Sequence, residues 1–428
     1  MLDLQFIRDN TDLVRLAMKN KNRDDIDLDR LLALAEERKT AAGVVSEINR
    51  KRNVAQQARD IEAGKTLKTE LESAEEKYRA IEKELVALLV KLPNIPSPDT
   101  PIGPDESENK VLRQLGEKPV FDFEPKAHWD LGRELGIINS EKAAEVSGAR
   151  FTYILGDLAL MQFALVDLVF RTLTSRETLR NIIDGAGISV SDKPFVPAVV
   201  PVIVKKTVQI RMARYLTDEE HYIFPDDGVM LVGSAEHTLG ALHMDEILKE
   251  DALPLRYVGY STSFRREAGA AGKDTRGILR QHQFDKAEME TFCLPEDGYR
   301  EQDFLVAIQE YLMRQLKLPY QVVSVCTGDM GFPDQRQMDI ETWMPGQNSY
   351  RETNSADYVG GFQARRLQTR VKRADGTLEP VHMNDATAFA IGRTLIAIME
   401  NYQQADGSIA VPEVLQAYVG KDKIVKSA

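Results

Sequence analysis

The chain has 428 residues, 43% of them apolar and 29% charged, which is enough for two or three domains with a proper core. A net charge of −12 weighs against a generic nucleic-acid binder, and no run of about 18 apolar residues is present to span a membrane. The opening stretch MLDLQFIRDN lacks the apolar core of a secretory signal, and Cys293 and Cys326 offer neither a disulfide framework nor a metal spacing, so a cytoplasmic location is expected.

Charge is unevenly spread. Residues 29–91 hold 13 Lys/Arg against 12 Asp/Glu, a net of +1 that leaves −13 for the remainder. Arg50, Lys51 and Arg52 form the densest basic cluster there, and a solvated helix face is the commonest meaning of such a cluster. Leu67, Leu71, Ala74, Tyr78, Ile81, Leu85, Leu88 and Leu92 recur at spacings of four and three, a heptad seam. Ala41, Val44, Ile48, Ala55 and Ala58 continue a thinner stripe upstream. Residues 62–65, with Gly64, are the expected turn between two helices, which then form an antiparallel hairpin about 40–48 Å long. Pro93, Pro96, Pro98, Pro101 and Pro104 break any helix and make a stiff link. The expected domains are a helical arm with linker over 1–104 and a body over 105–428.

The body alternates strand-like and helical patterns without a regular βαβ period, and no G-x-G-x-x-G opens a helix, so a dinucleotide-binding fold has little support. Residues 156–179 are strongly apolar and of helix length. In LVGSAE, Ser234 and Glu236 are expected to share a strand face. The stretch 264–288, FRREAGAAGKDTRGILRQHQFDKAE, reads as two antiparallel strands around a glycine-rich loop. An extended 264–267 puts Arg265 and Glu267 on one face, and the returning strand adds Phe284 and Glu288. The loop holds Gly269, Gly272 and Gly277 with Lys273 and Arg276. A guanidinium, two carboxylates and an aromatic plate suit a substrate with a polyphosphate, a flat base and an ammonium group; a merely solvated hairpin is the rival reading. A Walker P-loop fails, because Asp274 follows Lys273 where Ser or Thr is needed and Glu267 occupies the first glycine position. Further on, Arg393 sits in the apolar helix-like run FAIGRTLIAIMENYQ. Burying that arginine is costly unless it meets an anion, so a nucleotide phosphate is its expected partner. The six histidines show no metal spacing and read as structural or surface residues.

The runs FR-x-E-AG, DTRG-h-R and HQFDK-x-EM follow one another without gaps. They resemble motif 2 of class II aminoacyl-tRNA synthetases, and specifically of the seryl-tRNA synthetase family. The resemblance spans nearly the whole chain, is firmest over 256–292 and 389–412, and is weakest over 105–200. It implies an α+β fold: an N-terminal antiparallel coiled-coil hairpin plus a class II catalytic domain built on an antiparallel sheet flanked by helices. Residues 156–179 take the place of motif 1 and Pro201 that of its proline, which implies a homodimer.

The implied activity is ATP- and Mg²⁺-dependent conversion of L-serine to seryl-adenylate, then transfer to the 3′ end of tRNA(Ser), with tRNA(Sec) a further acceptor. By the same resemblance Arg265 and Arg393 are the catalytic cations. Arg265 would bridge the serine carboxylate and the α-phosphate, while Arg276 and Arg393 hold the outer phosphates. Glu267 would accept from the adenine amino group and Phe284 would stack on the ring. Glu352 and Ser355 would be the Mg²⁺ ligands, hard oxygens that suit that ion. Ser234, Glu236, Glu288, Thr387 and Asp385, with Arg265, would surround serine. Arg50, Lys51, Arg52 and Arg59 would meet phosphates of the tRNA variable arm. Three departures stand out. Ser234 replaces a threonine, Ala356-Asp-Tyr-Val-Gly-Gly replaces a Cys-Ser-Asn-containing stretch, and Asp385 stands where the family usually has Asn, adding a carboxylate. Rival readings are a paralogue that loads a carrier other than tRNA, a non-catalytic RNA-binding scaffold, and a synthetase for another amino acid.

Overall fold

The structure, a computed structural model, describes residues 1–267 and 276–426. The chain divides into two compact units, Met1–Ile95 and Pro96–Ala428. The division precedes the expected boundary at 104 because the proline-rich stretch is tied to the second unit. Ser97 N–H donates to the Gln335 carbonyl (2.7 Å) and Thr327 N–H to that of Pro101 (2.9 Å).

The first unit contains α1 (Leu4–Asp9), α2 (Thr11–Asn20), α3 (Leu28–Gln57) and α4 (Ile61–Leu89). The last two, of 30 and 29 residues, run antiparallel, since Arg30 meets Glu84 at 2.9 Å and Arg38 meets Glu82 at 3.9 Å. The turn between them lies at 58–60 and not at 62–65. Arg59 takes a left-handed φ of 57°, and the Asp60 carboxylate accepts the Ala63 N–H at 3.0 Å. That cap starts α4 before Gly64 could end anything. Leu71, Ile81, Leu85 and Leu92 are buried, as are Ala41, Ile48 and Ala55 on α3, whereas Val44 and Ala58 are exposed. The α3 seam instead runs 41, 45, 48, 52, 55, so Arg52 occupies a half-buried seam position.

The second unit is organised on an eight-stranded sheet: β1 (Lys110–Leu115), β2 (Val196–Val199), β3 (Leu255–Phe264), β4 (Gln283–Cys293), β5 (Tyr320–Ser324), β6 (Arg336–Met344), β7 (Ser349–Gly360) and β8 (His382–Ala390). Their order is β1-β5-β6-β7-β8-β4-β3-β2, antiparallel throughout except for β2, which joins β3 in parallel. Helices α5 (Gly156–Thr174), α6 (Arg176–Ala186), α7 (Lys206–Arg211), α8 (Glu236–Leu239), α9 (Gly298–Gln315) and α10 (Ile391–Asn401) accompany it. The apolar run 156–179 is thus two helices, bent by 79°, because Ser175 caps α6 through the Thr178 N–H (3.2 Å).

Strand periodicity decides which side is the core. Ala287 and Met289 on β4, Ala356 on β7, and Ala386 and Ala388 on β8 share one face, buried with residues of α5, α9 and α10 in the main core. The alternate residues of the same strands are polar, and they form the floor of a cavity.

Candidate active site

The cavity has a volume of about 630 Å³. Along β4 the outward residues are Phe284, Lys286, Glu288 and Glu290, in period-two succession. Two bulges tune what faces the cavity beside them. On β7, Thr353 is an extra residue between Glu352, opposite Glu341, and Asn354, opposite Ile340. This resets the alternation, so Glu352 and Ser355, three apart, line the same cavity. On β8, Ala388 is the extra residue between Thr387, opposite Glu288, and Phe389, opposite Ala287.

At one end, the Arg265 guanidinium lies 5.5 Å from the centre of the Phe284 ring and donates to the Gly233 carbonyl (3.2 Å). Arg393, in the first turn of α10, donates to the Glu352 carbonyl (3.0 Å) and meets its carboxylate at 3.1 Å. Desolvation opposes ionisation of Glu352, but the Arg393 charge outweighs it and holds the carboxyl below its ordinary value. In mid-floor, Glu288 Oε1 accepts from Ser234 Oγ (2.9 Å) and Thr387 Oγ1 (3.2 Å) and pairs with Lys286. Ser355 Oγ is 3.5 Å from Thr387 Oγ1. At the deep end, Arg214 Nη2 donates to both oxygens of Asp385 (3.1 and 3.0 Å), and its Nε lies 2.5 Å from Glu236 Oε1. Burial pushes Asp385 and Glu290 well above ordinary carboxyl values, and neighbouring carboxylates add to it. Burial also works against Glu236, yet Arg214 keeps it ionised.

The structure brings Arg265, Glu267, Phe284, Glu236, Glu352, Ser355, Thr387 and Arg393 around this one cavity. Ser234, Glu288 and Asp385 lie buried just beneath its floor. Two local expectations are corrected. β3 ends at Phe264 and Glu267 has a left-handed φ of 53°, so Arg265 and Glu267 meet at the cavity without sharing a strand face; Glu267 accepts from Arg280 (2.6 Å). Ser234 and Glu236 are likewise not on a strand, since Ser234 lies in a bend and Glu236 opens α8. Arg276 is exposed and is not among the lining residues, and Gly269, Gly272 and Lys273 lie outside the described residues. In the arm, Arg50 pairs with Glu47 (2.9 Å), and Lys51 and Arg59 are exposed.

Residues 1–96 match the family described as "Seryl-tRNA synthetase N-terminal domain" and residues 222–402 the "tRNA synthetase class II core domain (G, H, P, S and T)". The chain belongs to the seryl-tRNA synthetase family. It is 41% identical to the "Serine--tRNA ligase" of Symbiobacterium thermophilum, covering 99% of this chain and 100% of that one, and 38% identical to that of Coprothermobacter proteolyticus, covering 98% and 100%. Among solved structures it is similar to seryl-tRNA synthetase from Pyrococcus horikoshii complexed with ATP, with a TM-score of 0.86, 31% identity and 100% of both chains covered. It is also similar to the cytoplasmic serine-tRNA ligase of Naegleria fowleri in complex with AMP, with a TM-score of 0.84, 28% identity and 100% and 99% covered.

For a seryl-tRNA synthetase family member, Arg214, Lys286, His237, Asp357 and Glu290 are additional residues at or beneath the cavity that sequence reasoning missed. His237 accepts the Gly233 N–H on Nδ1 (3.1 Å), and burial pushes its pKa down to about 3. Glu290 was legible in the alternation from Phe284. Arg214 left no local signal beyond the surplus of acids it answers.

Proposed function

We propose that the chain activates L-serine with ATP and transfers it to the 3′ end of tRNA(Ser), with tRNA(Sec) as a further acceptor. The observation that carries this reading is the ordering along one sheet face: a guanidinium beside an aromatic ring, then Glu352 with Arg393, then the hydrogen-bonded Glu288. Adenine stacks on Phe284, with its amino group toward Glu267. Arg393 takes an outer phosphate, and Arg276 joins it from the loop. Glu236 and Glu288 receive the α-ammonium, while Thr387, Ser234 and Asp385 surround the side chain.

A serine carboxylate oxygen then forms the bond to the α-phosphorus as the bond to pyrophosphate breaks, with Arg265 countering the charge that develops. In the second step the terminal ribose hydroxyl of the tRNA attacks the acyl carbon and AMP leaves. No enzyme nucleophile is needed; positioning supplies most of the acceleration. Glu352 and Ser355 are hard oxygen donors lining the same cavity and would hold Mg²⁺, which would supply Lewis-acid stabilisation of phosphate charge. Among the described residues no group of three or more His, Cys, Asp or Glu is placed to hold a metal.

The arm residues Arg50, Lys51, Arg52 and Arg59 contact tRNA phosphates. A homodimer forms through the surface of α5 and β2, where Leu160, Phe163 and Val196 are exposed and Val199 is fully so. We place the protein in the cytoplasm; among the described residues no single helix is long and apolar enough to cross a membrane. The test is charging of tRNA(Ser) with labelled serine by the purified chain. Acid-precipitable seryl-tRNA is expected. Pyrophosphate exchange without charging would instead favour a non-tRNA carrier.

A further inference from the structure

The deep end of the cavity holds more carboxylates than the hydrogen bonds there account for. Asp357 on β7 is directly opposite Asp385 on β8, which is directly opposite Glu290 on β4. Three carboxylates thus stand side by side across adjacent strands, where like charges repel at Cβ separations of about 4.5–5.5 Å. Glu236 closes over them from α8 and shares Arg214 with Asp385. Among the described residues Arg214 is the arginine paired with this row, and it is already engaged with Asp385 and Glu236. It remains 4.0 Å from Asp357 Oδ2. Asp357 is 7% exposed and lines the cavity, and among the described residues its Oδ1 has no hydrogen-bond partner. Both carboxylate oxygens of Glu290 are in the same condition at 1% exposure.

This end is one residue pair beyond the row of Ser355, Thr387 and Glu288, about 6.7 Å along the strands. A ligand whose α-ammonium sits at Glu236 and Glu288 has the row of Asp357, Asp385 and Glu290 one residue pair away, within reach of a short side chain. A hydroxyl offers that carboxylate one hydrogen bond and no charge. An ammonium offers three donors and a positive charge.

We propose that this carboxylate row is a side-chain subsite for an ammonium group, so that the chain activates short diamino acids, of the 2,3-diaminopropionate and 2,4-diaminobutyrate class, with Asp357 as the residue that reads the second ammonium. The proposal rests on the activation chemistry and α-ammonium placement given above; the bond changes are the same, with the diamino acid carboxylate attacking the α-phosphorus.

The test is amino-acid-dependent ATP–pyrophosphate exchange by the full-length chain with L-serine, L-2,3-diaminopropionate, L-2,4-diaminobutyrate and L-alanine. At least one diamino acid is expected to give kcat/KM within about tenfold of serine, or above it, and alanine to fall at least about 100-fold below. Asp357→Asn is expected to lower the ratio of diamino acid to serine kcat/KM by about 30-fold or more, and Asp357→Ser serves if the first variant does not fold. Serine exchange with no diamino acid exchange overturns the proposal and leaves the serine reading standing. Diamino acid exchange without serine exchange supports the proposal and overturns the serine reading. An unchanged ratio in both variants removes Asp357 from its role and overturns the subsite, and no exchange with any of the four overturns both.

Discussion

Arg214 is the residue on which the polar half of the cavity depends, and Arg214→Met tests that dependence. Its guanidinium answers both oxygens of Asp385 at 3.1 and 3.0 Å and Glu236 at 2.5 Å, with the side chain only 16% exposed. Methionine preserves most of the volume but removes the charge. Breaking a buried ion pair by deleting one partner costs about 3–5 kcal/mol, because a desolvated charge is left behind. Two acids lose a partner, yet Asp385, already pushed up by burial and by Glu236, escapes by taking a proton, so the total stays within that range. Unfolding entropy of about 2.1 cal/mol/K per residue over a body of about 330 residues makes each kcal/mol worth roughly 1.5 °C. The expected fall in Tm is about 4–7 °C by differential scanning calorimetry. Adding Asp385→Asn to the variant is expected to restore part of it, since an amide needs no counter-charge. A single variant within about 1 °C of wild type, or a double variant with no recovery, would refute the reasoning.

Other outcomes follow from the same geometry. Replacing Arg50, Lys51 and Arg59 by Gln is expected to weaken tRNA binding and to flatten the log–log salt dependence by about 0.7–0.9 for each phosphate no longer neutralised, read by filter binding across a salt series. Glu352→Gln keeps an oxygen donor but removes its negative charge, and is expected to raise the Mg²⁺ needed for half-maximal exchange at least about tenfold, or about 1.4 kcal/mol. Burial pushes His237 down to about 3 and His382 down to about 4, well below the ordinary 6.5 or so. The unfolded chain therefore binds protons that the folded chain refuses between those values. Stability is full above about pH 6.5 and falls as pH drops, by about 1.4 kcal/mol per pH unit per histidine. Urea midpoints are expected to show a shallower acid limb for His382→Gln, and an unchanged limb would contradict this.

What could be read from the chain before folding was the chemistry carried by local runs. The alternation Phe284, Lys286, Glu288, Glu290 places one strand face, and the heptad of α4 names its buried leucines. Less could be read wherever a partner strand or a distant segment decides. The bulges at Thr353 and Ala388 exist only as mismatches against β6 and β4, and a regular strand would put Glu352 and Ser355, three apart, on opposite faces. Arg214 reaches Asp385 from 171 residues away, and no local pattern announces it. Glu267 was misread as strand because a left-handed residue leaves no mark in an alternation. Capping decided two further points: Asp60 moved the hairpin turn ahead of Gly64, and Ser175 broke a run whose apolar content alone reads as one helix.

In the proposed activation, one cavity face, led by Arg265 beside Phe284, brings an amino-acid carboxylate to the α-phosphorus of ATP. Serine-dependent exchange of labelled pyrophosphate into ATP, run for the purified chain and for Arg265→Ala, tests it most directly. The wild type is expected to exchange and the variant to lose at least about 100-fold of kcat, the scale set by removing one preorganised charge-stabilising group, with its Tm unchanged. Exchange by Arg265→Ala within about threefold of the wild type, or none by the wild type itself, would contradict the account.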